Sequence, residues 1–274
     1  MKIIYPLGWL STFIFLSGCA AFEVGGEIQA GRLALMKGDP NIALAHFERV
    51  TQSDPNYLTN FTPLEQGVWT YVGRAYYDAG KLPEARQALE RARSLHEKDS
   101  LAKLYLGLTL IRQQKEPKTE KPFSLEDILY ALKEGITPKR VATLVHERGV
   151  EFELTSEGES NLRRTGADDQ LVEEIKTIRA EMSLRTRGLK EVEAAMRELH
   201  NWLEHISENT SYGRFWDPGR EIRSQIQTTL AMIAAKEIDW QKLIVGGEWV
   251  GKELEEEIDL AREDEAEERT RRRR

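Results

Sequence analysis

The feature that most restricts the fold is a set of small and apolar residues that occurs twice with the same spacing. Counting from Gly31, the residues after 7, 12, 16 and 19 positions are Gly38, Ala43, Phe47 and Val50. Counting from Gly73, the same steps lead to Gly80, Ala85, Leu89 and Ala92. A unit of this size cannot bury its own apolar face, so each copy must pack against a neighbour. The spacing predicts helical hairpins stacked on one another.

This pattern resembles the tetratricopeptide repeat, a helix–turn–helix unit of about 34 residues. A third unit begins at Gly107, but Gln114 replaces its turn glycine and prolines interrupt its second helix. The first two units are 42 residues apart, so extra residues lie between them, around positions 60–66. The resemblance covers residues 24–114 and implies two full units followed by one leading helix.

The resemblance also implies a concave face on which members of the family bind other proteins. The positions that face this groove in the family carry Arg32 and Leu35, Arg74 and Tyr77, and Leu108 and Ile111, with Arg112 beside the last pair. Guanidinium groups beside an aromatic ring suit an acidic, partly apolar peptide. The alternative is that these arginines are solvated or pair with local carboxylates. The carboxylate-clamp pattern of chaperone-binding members is absent, so no binding of chaperone tails is implied.

The N-terminus has the arrangement of a secretory signal. A lysine at position 2 precedes a mostly apolar run over residues 3–16, which is shorter than the roughly 20 residues of a membrane-spanning helix. The run ends in Leu16-Ser17-Gly18-Cys19, which resembles the lipobox of bacterial lipoproteins. That resemblance implies cleavage between Gly18 and Cys19 and acylation of Cys19. An uncleaved anchor is the alternative.

Two further observations bear on this N-terminal assignment. The chain has one cysteine, which excludes a disulfide framework and a multi-cysteine zinc site. Ala20, rather than an aspartate, follows Cys19, which resembles the pattern that sorts lipoproteins to the outer membrane. We therefore expect a signal peptide at residues 1–18 and a lipidated tether at 19–23.

Helix-capping signals divide the middle of the chain. Ser124, Thr137, Thr155 and Asp168 are predicted helix starts, and glycines at 135, 149 and 166 are predicted helix ends. This segment resembles a small helical module of assorted bacterial proteins, with no chemistry implied. We assign it residues 115–180.

The last third of the chain predicts a three-helix bundle over residues 181–262. Apolar residues at steps of three and four begin at Leu189, while Asp217-Pro218 and Asp239 mark two further helix starts. Residues 263–274 form a charged tail, and the stretch from Glu253 is expected to be a fraying helix with a disordered end. The alternative is that the terminal arginines contact phosphate-bearing lipids and remodel membranes.

The sequence holds no recognisable catalytic motif. His200 and Glu204 share a helix face and could supply two metal ligands, with Glu208 one turn further, but His-Glu-x-x-His is absent. The glycines at 246, 247 and 251 do not match a phosphate loop. The carboxylates at 255–259 fit a solvated helix face. We predict no catalytic residues, no metal and no cofactor.

Together these observations predict an all-α protein with a short repeat solenoid, a helical module and a C-terminal bundle. A formal net charge of −7 argues against a general nucleic-acid binder. We expect a non-enzymatic lipoprotein at the periplasmic face of the bacterial outer membrane, acting as a scaffold or assembly factor for other envelope proteins or peptides. The alternative is a metal-binding or enzymatic accessory protein with its site in the tryptophan-rich bundle.

Overall fold

A computed structural model describes residues 12–61, 64–114, 121–209 and 219–273. The structure is 79% helical, which confirms the all-α prediction. Before residue 115 the helices are α1 Thr12–Met36, α2 Pro40–Ser53, α3 Val68–Asp78, α4 Leu82–Leu95 and α5 Ser100–Arg112. The later helices are α6 Leu125–Lys133, α7 Pro138–Arg148, α8 Ser156–Arg164, α9 Asp169–Asn209, α10 Gly219–Ala235 and α11 Trp240–Arg273.

The repeated glycines explain how the first two helical hairpins form. Gly38 and Gly80 turn the chain between α1 and α2 and between α3 and α4, with φ angles of +80° and +72° that favour glycine. The helices of each hairpin then cross at a second glycine. A Cβ atom on Gly31 would lie 2.3 Å from the ring of Phe47, and one on Gly73 would lie 2.4 Å from Leu89. The equal spacing in sequence therefore reflects the same glycine contact in both hairpins.

This contact leads to a test with a matched control. Gly73→Ala is expected to lower the free energy of unfolding by about 1–3 kcal/mol, because the new methyl group overlaps Leu89 in a packed core. Gly26→Ala in α1 has nothing within 4 Å, so we expect it to raise stability by about 0.5–1 kcal/mol through helix propensity. Denaturant unfolding of both variants measures the difference. Equal effects of the two substitutions would contradict the proposed crossing.

The extra residues between the two hairpins form a small antiparallel sheet. Strands β1 Leu58–Phe61 and β2 Leu64–Gly67 pair with Leu58 opposite Gly67 and Phe61 opposite Leu64. The sequence placed the insertion correctly but did not predict strands, because the segment has no Asn-Gly or Asp-Gly turn. The β2 strand leads directly into α3 and so fixes where the second hairpin begins.

The chain divides into two compact units. The first comprises residues 1–109 and 191–274, so the repeats and the C-terminal helices share one unit. The second comprises residues 110–190. Helix α9 is continuous from Asp169 to Asn209, so no helix ends at the boundary expected near residue 180.

The predicted caps shape the second unit. Ser124 and Asp127 form a reciprocal capping box at α6, and the hydroxyls of Thr137 and Thr155 accept backbone N–H groups at the starts of α7 and α8. Asp168 accepts the N–H of Leu171 at 2.8 Å. The interior of this unit is formed by Ile128, Leu132, Val141, Val145, Leu162, Leu171 and Ile175, with Phe152 and Leu154 partly buried against it.

Helix α11 differs from the sequence-based expectation for the C-terminus. The prediction of a disordered end is wrong, because α11 continues to Arg273. Residues 252–273 contain no glycine or proline and are rich in glutamate and arginine, which favour helix. The alternative, that the terminal arginines contact lipid, concerns side chains outside the described part of the chain. Within the described residues, no helix combines the length and apolarity needed to span a membrane.

Candidate partner-binding groove

The candidate groove is formed by α3 and α5 of the repeats. We define the repeat groove as the face carrying Arg74, Tyr77, Tyr105 and Leu108, all of which are buried. The Arg74 guanidinium lies over the Tyr105 ring at 4.7 Å from its centroid, and the rings of Tyr77 and Tyr105 meet edge to face at 5.5 Å. Burial raises the pKa of the Tyr105 phenol, while the nearby Arg74 charge acts in the opposite direction. The groove is thus cationic with aromatic walls.

The chain's own helix α11 occupies this groove. Glu255 forms an ion pair with Arg74, and both side chains are buried. About two turns earlier in α11, Glu248 accepts a hydrogen bond of 2.6 Å from the Tyr77 hydroxyl. The two glutamates are seven residues apart, which places them on the same helix face. Gln66, in β2, donates to Glu255 at 3.5 Å, so the inserted hairpin contributes to this contact.

Two glycines allow α11 to approach the groove closely. A Cβ atom on Gly247 would lie 2.8 Å from Leu108, and one on Gly251 would lie 2.6 Å from the Tyr105 hydroxyl. In the sequence these glycines do not match a phosphate loop, and no other role is predicted for them. Their spacing of four residues within a helix was the available signal, since it puts two small residues on one face.

A second helix binds the repeats through the same type of residue pair. In α9, Glu191 pairs with Arg93 of α4. Glu198 accepts hydrogen bonds of 2.6 Å from the Ser100 hydroxyl and 2.5 Å from Lys103 Nζ. Glu191 and Glu198 are also seven residues apart. Arg93 and Lys103 of the repeats therefore also pair with carboxylates from the C-terminal part of the chain.

The groove is held in place by the buried carboxylate of Asp99. One of its oxygens accepts the N–H of Gly67 at 2.9 Å and the hydroxyl of Thr70 at 2.6 Å, and the other accepts the N–H of Ala102 at 2.8 Å. Burial raises the pKa of Asp99, although the three donated hydrogen bonds act in the opposite direction. The side chain thereby ties the end of β2 and the first turn of α3 to the start of α5.

The four residues predicted to line the groove have different surroundings in the structure. Arg74 and Tyr77 lie together and contact α11. Arg32 is buried and donates to Gln29 one turn earlier in α1, at 3.4 Å. Arg112 is exposed in the last turn of α5 and belongs to the second unit. Binding of an external partner by these residues stays a prediction.

One expectation about the groove's surroundings is wrong. The sequence predicts that the carboxylates at 255–259 lie on a solvated helix face, but Glu255 is only 2% exposed. Its partner Arg74 lies 181 positions earlier in the chain, so no local charge pattern announces the pair. The alternative that the arginines pair with local carboxylates does not describe Arg74.

The remaining candidate residues lie elsewhere. Gly18 and Cys19 fall within α1, but their side chains, like that of Glu208, are outside the described part of the chain. Glu204 forms an ion pair with Arg223 of α10, with 3.1 Å between the carboxylate oxygen Oε1 and Nε. Among the described residues, no group of three or more histidine, cysteine or carboxylate side chains is arranged to hold a metal.

Comparison with protein families gives one match to this region. The tetratricopeptide repeat family model matches residues 72–118, which include all four residues of the repeat groove. Comparison with curated proteins gives no match. Such repeats generally mediate binding to other proteins. The chain therefore contains a tetratricopeptide repeat in the segment that forms the groove.

Proposed function

We propose that the protein is a lipid-anchored scaffold or assembly factor of the bacterial cell envelope, which binds other envelope proteins through its repeats. The observation that supports an interaction role is the repeat groove itself. Arg74 and Tyr77 hold the acidic groups of a helix, with glycines of that helix against Tyr105 and Leu108. This surface has the charge and the aromatic walls that recognise an acidic protein segment.

The cellular location is proposed from the N-terminal sequence. The lipobox-like ending at Cys19 supports acylation there, and Ala20 supports sorting to the outer membrane, facing the periplasm. The lipoprotein resemblance implies three acyl chains on Cys19, which exceed the two membrane signals that stable anchoring requires. We propose no catalytic role, since the contacts of the groove residues are those of packing and ion pairing.

Labelling and fractionation test the anchor. Cells that express the protein with radioactive palmitate are expected to label the wild-type chain and not the Cys19→Ala variant, which lacks the acylated thiol. The matched variant Ala20→Asp keeps the thiol, so it should remain labelled while moving from the outer-membrane to the inner-membrane fraction. Label that persists in Cys19→Ala would contradict the lipoprotein assignment.

The same strains test the scaffold role. Crosslinking in cells followed by affinity capture should recover proteins with the full chain that are not recovered with a control in which residues 1–23 anchor an unrelated soluble domain. Both baits reach the same membrane, so proteins specific to the full chain must recognise residues after 23. Identical captures from the two baits would contradict a scaffold.

A further inference from the structure

We propose that α11 is an exchangeable occupant of the repeat groove, and that an external partner binds there through an acidic helix with the same pattern. This inference depends on the interaction role proposed above but not on the lipid anchor. The pattern consists of two glutamates seven residues apart, matching Glu248 and Glu255, and small residues matching Gly247 and Gly251. All four lie on the side of α11 that meets α3 and α5.

The groove specifies its occupant chemically. Arg74 is only 4% exposed, so an occupant without a carboxylate at the Glu255 position would leave a buried charge unpaired. An occupant with a bulky residue in place of Gly251 would overlap the Tyr105 hydroxyl. These two requirements disfavour helices of other composition, which is how binding sites achieve specificity.

The same requirement favours exchange of one helix for another. A partner helix that carries the two glutamates restores the ion pair to Arg74 and the hydrogen bond to Tyr77, so these two polar contacts are replaced when α11 leaves. Helix α11 is connected to α10 by a short joint at residues 236–239. Lys236 in this joint has φ +58°, a left-handed backbone conformation that side chains other than glycine rarely adopt. The chain changes direction between α10 and α11 only at this joint, so α11 can move as one helix when it leaves the groove.

Competition within the chain determines how tightly a partner binds. Because α11 is tethered next to the groove, its effective concentration is high. The apparent affinity for a partner is then reduced by the small fraction of molecules whose groove is open. Weakening α11 without changing the groove should therefore strengthen binding of a free helix.

A peptide corresponding to residues 240–262 of this chain is the probe. Its binding to the purified chain from residue 19, carrying Cys19→Ala, is measured by fluorescence anisotropy. Gly251→Leu in the chain weakens α11 against Tyr105 but leaves the peptide unchanged, and we expect it to raise peptide affinity by about tenfold or more. Lys252→Leu, at the adjacent exposed position, is the matched control and should leave affinity unchanged.

A charge exchange shows where the peptide binds. With Gly251→Leu in the chain, a peptide carrying Glu255→Arg should lose binding. Adding Arg74→Glu to the chain should reverse the preference, so that the arginine peptide binds and the glutamate peptide does not. A Gly251→Leu chain that remains helical by circular dichroism and binds the peptide no better than Lys252→Leu would overturn the proposal.

A disulfide lock keeps the test decisive if Gly251→Leu does not fold. Gly247→Cys with Leu108→Cys places two thiols at a close contact between α11 and α5. The reduced protein should bind the peptide and the oxidised protein should not. Equal binding, or none in either state, would overturn the exchange. The peptide assay needs no membrane, so its failure is distinguishable from failure of palmitate labelling or of capture in cells.

Discussion

Replacing Glu255 with leucine is expected to lower the free energy of unfolding by about 3–5 kcal/mol, since it leaves the Arg74 guanidinium buried without its counter-charge. The cation–π contact with Tyr105 remains, but at about 2 kcal/mol for a buried pair it does not replace the lost counter-charge. Unfolding in guanidinium chloride, followed by circular dichroism, measures the change.

Two controls separate burial from charge in this prediction. Glu256→Leu removes a partly exposed carboxylate that pairs with Lys252, four residues earlier in the same helix. This substitution should change the free energy of unfolding by about 0.5 kcal/mol or less. The double variant Arg74→Met with Glu255→Leu should recover most of the lost stability, because both buried charges are then absent. Similar losses for Glu255→Leu and Glu256→Leu would show that the Arg74 pair has no special importance.

Replacing Asp99 with alanine is the second large effect that we expect, a loss of about 3 kcal/mol or more. The substitution leaves three buried donors, on Gly67, Thr70 and Ala102, without their acceptor. Asp239→Ala removes an exposed N-cap that accepts the N–H of Lys242 and pairs with the ammonium of the same lysine, and it should cost about 1 kcal/mol. A loss for Asp99→Ala no greater than for Asp239→Ala would contradict the anchoring role.

The pH dependence of this second effect has a defined sign. The pKa of Asp99 is raised in the folded chain by burial, so the folded state binds the proton more tightly than the unfolded state. The stability that Asp99 contributes by titration is therefore present below its unfolded pKa of about 3.9 and is lost as pH rises through the folded pKa. Wild type compared with Asp99→Asn should lose relative stability as pH rises from about 4. The opposite trend would show that the three hydrogen bonds outweigh burial.

Much of the local structure could be predicted because its causes lie close together in the sequence. The turn at Gly80 and the contact of Gly73 with Leu89 follow from residue type and spacing within one hairpin. The capping box at Ser124 and the N-cap at Thr137 likewise depend on residues three positions away. These features depend on residues that lie close together in the sequence.

The contents of the groove could not be predicted, because their causes lie far apart in the sequence. Arg74 and Glu255 look like ordinary surface charges in their own helices, and only the packing of α11 on α3 and α5 buries them. Arg32, which family position places on the same face, is buried and donates to Gln29 of its own helix. The repeat pattern of the family predicts which face of a helix a residue lies on, but it does not predict which other part of the chain packs on that face.

The occupied groove determines which truncated forms of this protein keep the repeats soluble. A fragment that stops at residue 114, where the repeat pattern ends, would lose the segment that covers Tyr105 and Leu108 and neutralises Arg74. Such a fragment would present an apolar, positively charged cleft to solvent and be prone to self-association. The smallest soluble piece that retains the repeats should include α11 through residue 256, so expression work must treat two distant stretches of the chain as one folding unit.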